Sequence, residues 1–124
     1  MLAHNTMYVA LPVRDLQEAM DFYGNTLGLT IVDQNENGMW YQTGTSRIAI
    51  YHSEFAGTNQ GTAAIWEVGD PKHTVKSLHA RGVQFEKYDL PGARRRGAIH
   101  HFASYDAAWF KDPSGNLLCI THHL

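Results

Sequence analysis

Val13-Arg14-Asp15-Leu16 recurs fifty-five residues further along the chain as Val68-Gly69-Asp70-Pro71. Each copy follows a β-prone stretch, Thr6 to Pro12 and Thr62 to Glu67. Each then opens a helix-like stretch that closes on a glycine, Gly28 and Gly82. Self-similarity at a fixed spacing marks a duplicated supersecondary unit. In the first copy Asp15 is placed to cap a helix, and Glu18 three residues later completes a capping box. Leu16, Ala19, Met20, Tyr23 and Leu27 then share one face at the 3.6-residue period. In the second copy Asp70 is the cap, Pro71 takes the favoured first helical position, and Val75 and Leu78 line the buried face. Gly28 and Gly82 supply the left-handed residue on which such helices end.

Outward from these helices, each half offers three further strand candidates. They are Leu29 to Gln34, Met39 to Thr43 and Arg47 to His52, then Val83 to Tyr88, Ala107 to Lys111 and Asn116 to Thr121. Asn35-Glu36-Asn37-Gly38 and Asp112-Pro113-Ser114-Gly115-Asn116 are turn signals, and Glu54 to Gln60 reads as the linker between the copies. The second half also carries an insertion from Asp89 to Tyr105, read as a long loop of the lid or binding type. The pattern is β-α-β-β-β twice, an α+β domain spanning 1–124 with module one at about 6–53 and module two at about 61–122. Two such modules form a cupped mixed sheet, with the helices on its outer face and a pocket on the other.

Composition narrows the function classes. A net charge of -2 gives no electrostatic reason for a nucleic-acid or anionic-membrane partner. No apolar run has the length of a bilayer span, and the N-terminus lacks the blocks of a signal peptide. The single cysteine, Cys119, excludes an intrachain disulfide and suits a reducing cytoplasm. A cytoplasmic protein with a small-molecule partner is the expectation.

The residues from Val13-Arg14-Asp15-Leu16 through Phe22-Tyr23 to Leu27-Gly28-Leu29 resemble the opening of vicinal-oxygen-chelate proteins, the glyoxalase, bleomycin-resistance and extradiol-dioxygenase group. The second half matches through Glu67-Val68-Gly69-Asp70, Ala80-Arg81-Gly82-Val83 and Phe110-Lys111-Asp112-Pro113-Ser114-Gly115-Asn116. The resemblance implies paired βαβββ modules, a homodimer and a pocket in the cup. It also implies a divalent metal in the enzymes of the group and none in the antibiotic-sequestering members. Carried over by position, the four metal ligands of the enzymes fall on Tyr8, Ala49, Ala63 and Cys119. Two alanines, a tyrosine and a lone cysteine are not a divalent-metal set, so no metal or other cofactor is expected.

The candidate ligand-binding residues are Tyr8, Arg47, Tyr51, Glu67, His100, His101 and Cys119. Tyr8, Arg47, Tyr51, Ile65, Glu67 and Thr121 share strand parity with the vacated positions and look into the cup; Trp66 has the opposite parity and packs under the helices. Parity alone does not fix the face of Trp40 or Trp109. Glu67 serves as a general base if burial raises its pKa, or else pairs with Arg47. The pairs His100-His101 and His122-His123 each send their side chains to opposite faces if extended, and read as exposed or loop histidines. Arg94-Arg95-Arg96 is a solvated loop or a receiver for an acidic ligand group. Cys119 reads as a small buried residue.

Three functions follow. The first is a metal-free protein that binds an organic ligand. The second is a metal-dependent lyase, isomerase or dioxygenase with a site relocated to His52, His100, His101 and Cys119. The third is a module with an empty cup that acts through its surface. Whether the protein is an enzyme at all is left open by the residues.

Overall fold

The computed structural model covers residues 1–124 and contains both modules. The first comprises β1 (Val9–Val13), α1 (Leu16–Met20) running on as a π-helical stretch (Asp21–Thr26), β2 (Thr30–Asn35), β3 (Gly38–Thr43) and β4 (Ser46–His52). The second comprises β5 (Thr62–Glu67), α2 (Pro71–Ala80), β6 (Arg94–Arg96), β7 (Ile99–His101), β8 (Tyr105–Lys111) and β9 (Leu117–His123). Their sheets are ordered β1-β4-β3-β2 and β5-β9-β8-β7-β6. In each, the strand before the helix runs parallel to the last strand, and the other pairings are antiparallel. The duplication is therefore one of topology as well as of sequence.

The edge of the second sheet departs from the sequence expectation. Val83 to Tyr88 does not form a strand; it touches β8 through a single bridge, Phe85 to Phe110, and a hydrogen bond from Glu86 N to Trp109 O at 2.8 Å. The rest of that edge is taken by β7, whose His100 and His101 pair with Ala107 and Asp106. The insertion is thus not one loop but holds a hairpin, β6 with β7, turning at Gly97, whose φ of 60° suits a tight hairpin turn. Three consecutive arginines carry no apolar alternation, so nothing local announces β6. As a fully exposed edge strand it needs none, and its charges discourage further pairing.

The helix signals are realised with one difference. Asp15 Oδ1 accepts from the backbone N–H of Gln17 and Glu18 at 2.9 and 3.1 Å, but Glu18 makes no return bond, so the capping box is half formed. Asp70 Oδ1 accepts from His73 N at 3.1 Å, with Pro71 at the start of α2. Gly28 and Gly82 close the helices at φ of 75° and 92°.

One hydrophobic cluster joins the two modules. Leu11, Val13, Met39, Tyr41, Ile48 and Ile50 come from the first sheet, and Ala64, Ala108, Phe110, Leu118 and Ile120 from the second. Ala19 and Tyr23 press down from the first helical segment. Phe110 is the meeting point: Trp66 stacks on it at 6.4 Å, Phe85 meets it edge-on at 5.5 Å, and Phe22 of the first module lies 6.5 Å away. Trp66 packs on the helical side as its parity requires, and its Nε1 donates to Thr43 Oγ1 at 2.9 Å across the module boundary.

A polar seam lies beside this core. The Tyr23 hydroxyl donates to Asp112 Oδ2 at 2.7 Å, and the backbone N–H groups of Ser114 and Asn116 donate to Asp112 Oδ1 at 3.0 and 2.8 Å. Asn116 Nδ2 donates to Asp112 Oδ2 at 2.8 Å and to Pro12 O at 2.7 Å. Burial, with the Asp112 charge beside it, pushes the Tyr23 phenol far above its ordinary range, so it stays a donor. Arg14 completes the seam, reaching Ser114 O and Ala56 O with its guanidinium at 2.8 and 2.9 Å. The two motifs most visible in the sequence, Val13-Arg14-Asp15-Leu16 and Asp112-Pro113-Ser114-Gly115-Asn116, are the two sides of one joint.

Candidate functional site

The face opposite the helices is set by strand register. Ala10, Ala49 and Trp40 lie in one cross-strand row, and Ile65, Cys119 and Trp109 lie in the matching row of the second module. These positions alternate with the core residues on β3, β4, β8 and β9, so both tryptophans belong to the open face. Each sits directly across from a vacated ligand position, Ala49 or Cys119. Each is also braced edge-on: Trp40 by Tyr8 at 5.4 Å, and Trp109 by Tyr88 at 5.7 Å and His100 at 5.0 Å. Trp109 Nε1 donates to Thr62 Oγ1 at 3.1 Å, which fixes the indole in place. Sequence reasoning left these two faces open because register is a property of the ladder rather than of any one strand.

The residues singled out in the sequence are distributed as follows. Tyr8 lies one residue before β1, and Tyr51 lies near the end of β4; both are about two-fifths exposed, at 42% and 40%. Arg47 does not pair with Glu67; its Nε donates to Gln42 Oε1 at 3.3 Å. The two nonetheless line one cleft of about 350 Å³ at the junction of the sheets. Glu67 instead accepts from Thr121 Oγ1, His123 N and His123 Nδ1 at 2.9, 2.9 and 2.8 Å. The His123 backbone N–H, helped by the two side-chain donors, holds its carboxyl below the usual range. These donors outweigh the upward pull of desolvation, so burial does not make Glu67 the raised-pKa general base read from the sequence.

His100 and His101 point to opposite faces, and neither is a loop residue. His100 is fully buried. Its Nε2 accepts from Tyr88 N at 3.0 Å, and its Nδ1–H faces Ala98 O and Ala107 O at 3.1 and 3.3 Å. With both nitrogens engaged it ties the insertion to β8. His101 meets Asp106 Oδ1 at 2.7 Å, lining with Asp70, Lys72 and Arg96 a polar cavity of about 400 Å³ near the start of α2. Arg94, Arg95 and Arg96 form the exposed edge strand β6.

Cys119 is buried, and burial pushes its thiol up to about 11. At pH 8 such a thiol holds about a hundredfold less thiolate than one at the ordinary 9.0. A thiol reagent is therefore expected to label native protein very slowly and unfolded protein fully, read by mass spectrometry with and without guanidinium.

The four positions that would hold a metal do not fit one. Ala49 and Ala63 have no donor atom, Ala63 falls at a register shift of β5, and Tyr8 with a lone cysteine is not a divalent-metal set. No three of the His, Cys, Asp and Glu side chains converge with metal-binding geometry, so the structure does not assemble His52, His100, His101 and Cys119 into a relocated centre.

Sequence reasoning missed His123. It ended the last strand at Thr121, whereas β9 runs on to His123 and puts that ring on the open face with Cys119 and Thr121. The period-2 alternation from Cys119 was the available signal. No helix is long and apolar enough to cross a membrane.

The family model of the Glyoxalase/Bleomycin resistance protein/Dioxygenase superfamily matches residues 6–120. No curated protein matches the sequence. Among solved structures, a glyoxalase/bleomycin resistance protein/dioxygenase from Alicyclobacillus acidocaldarius is 23% identical with a TM-score of 0.70, over 98% of this chain and 92% of that one. TnmS3, an antibiotic binding protein from Streptomyces sp. CB03234, is 21% identical with a TM-score of 0.68, over 100% and 99%. A lactoylglutathione lyase from Agrobacterium tumefaciens is 16% identical with a TM-score of 0.70, over 98% and 96%. At these identities the likeness is one of fold.

Proposed function

The chain belongs to the Glyoxalase/Bleomycin resistance protein/Dioxygenase superfamily, and from that premise we propose that it binds a flat aromatic organic molecule on the open face of its sheets, without a metal centre. The observation that carries this reading is the pair Trp40 and Trp109, placed at equivalent points of the two modules. Braced edge-on by Tyr8 and by Tyr88 and His100, each indole is held against rotation, so little side-chain entropy remains to be lost on binding. Aromatic contacts add about 0.5–1.5 kcal/mol each beyond the area they bury. Tyr51, Ile65 and Arg47 widen the same face with apolar surface and one cation. The antibiotic-binding relative from Streptomyces lends support, since its fold serves ligand capture.

The test is tryptophan fluorescence titrated with an anthraquinone sulfonate, a flavin and an indole acid. Trp40 and Trp109 are expected to be quenched by at least one of them, while the core Trp66 keeps its emission. Replacing Trp40 or Trp109 by alanine should weaken binding about tenfold each, and the double variant about a hundredfold. Unchanged quenching in the double variant would refute the assignment.

A further inference from the structure

At the end of the open face furthest from the vacated metal positions of the second module, His123 and Glu67 form an imidazole–carboxylate pair that metal-free binding does not require. We infer that this pair is a metal-independent general base that activates water toward an aryl ester held on the open face. It goes beyond the binding reading and needs only that this face be accessible.

Glu67 is fixed by three donors. Thr121 Oγ1 and His123 Nδ1 share its Oε2 at 2.9 and 2.8 Å, and His123 N reaches Oε1 at 2.9 Å. The Nδ1 contact places the imidazole proton on that nitrogen, which leaves the Nε2 lone pair free. A carboxylate that orients an imidazole and supports the charge it gains is the arrangement by which histidine bases are made effective. The ring is positioned from the side as well: Tyr105 lies 6.1 Å from it, and Phe102 stacks on Tyr105 at 4.7 Å with planes 14° apart. Those two rings form a ledge for an aryl group beside the base. Across the junction cleft that Glu67 lines stands Arg47, whose terminal guanidinium nitrogens are left over from its Nε bond to Gln42. Arg47 thus brings a cation to the same cleft that Glu67 lines.

The step balances with water alone. His123 Nε2 takes a proton from water as the water oxygen bonds to the ester carbonyl carbon, and the carbonyl π pair moves to the oxygen. Collapse of that tetrahedral species breaks the bond to the aryloxide, which leaves with the pair. The imidazolium returns its proton to the aryloxide, giving an acid and a phenol. Cys119 takes no part, being buried and held as the thiol. Both members of the pair are exposed, with 73% and 52% of their side-chain surface open to solvent, so replacing them should leave the fold intact.

The experiment is hydrolysis of 4-nitrophenyl acetate, followed by release of 4-nitrophenolate. The protein is expected to act about a hundredfold or more faster than equimolar free imidazole, and equally with EDTA present. His123→Asn, which keeps a donor toward Glu67 but removes the free nitrogen, should fall to background. Glu67→Gln should lower kcat about tenfold or more with KM unchanged and shift the pH profile, the mark of a positioning residue. A protein no faster than imidazole, or a His123→Asn variant that keeps its rate, would overturn the inference. Either result leaves the tryptophan quenching untouched, so the two readings fail separately.

Discussion

Asp112→Ala is expected to cost the fold about 4 kcal/mol or more, read as the shift in denaturant midpoint at unchanged m-value. The carboxylate is buried and takes four hydrogen bonds, from the Tyr23 hydroxyl, two backbone N–H groups and the Asn116 amide. Removing it deletes one acceptor group but strands four donors in a place water reaches poorly. Each unsatisfied buried donor costs about 1–3 kcal/mol before relaxation, so even partial rescue leaves a large deficit. Tyr23→Phe separates the terms, because it removes one donor and leaves the acceptor with three; about 1–2 kcal/mol is expected there. Equal losses in the two variants would show that the carboxylate is not the centre of the seam.

Phe110→Ala is expected to cost about 3–5 kcal/mol through lost burial and an unfilled cavity. The ring is 1% exposed and faces Trp66, Phe85 and Phe22. Phe22 belongs to the first module and the others to the second, so the loss is shared. Unfolding should remain one cooperative transition at a lower midpoint, with Trp66 emission and far-ultraviolet circular dichroism moving together. Two separated transitions would mean that the modules are held by the polar seam rather than by the core. Phe110→Leu, which keeps most of the volume, should lose about 1.5 kcal/mol or less.

The parts of this architecture that were legible in the sequence are those set by neighbours along the chain. Asp15 and Asp70 cap helices because a short carboxylate reaches N–H groups two or three residues on. The sides taken by Trp66 and by the core of β9 follow from alternation alone. What was not legible depends on partners far away in sequence. The side of Trp40 and Trp109 follows from ladder register. The Tyr23–Asp112 bond spans 89 positions. The β6–β7 hairpin exists because Val83 to Tyr88 holds the β8 edge only at Trp109 and Phe110 and leaves Asp106 and Ala107 to β7, an opening that nothing within Arg94-Arg95-Arg96 encodes. His100 looked like a loop histidine because its burial is created by that same hairpin.

The seam between the modules also bears on how the repeat diverged. Arg14 has Gly69 as its counterpart in the second copy, and the five-residue turn that receives it has only Gly44 and Thr45 opposite β3 and β4 in the first. One half carries a key and no lock, the other a lock and no key. A chain assembled from two first halves would present two idle arginines, and one made from two second halves would present two empty sockets. The ancestral symmetry has become a heterotypic fit, so split halves of this protein should recognise each other in preference to themselves.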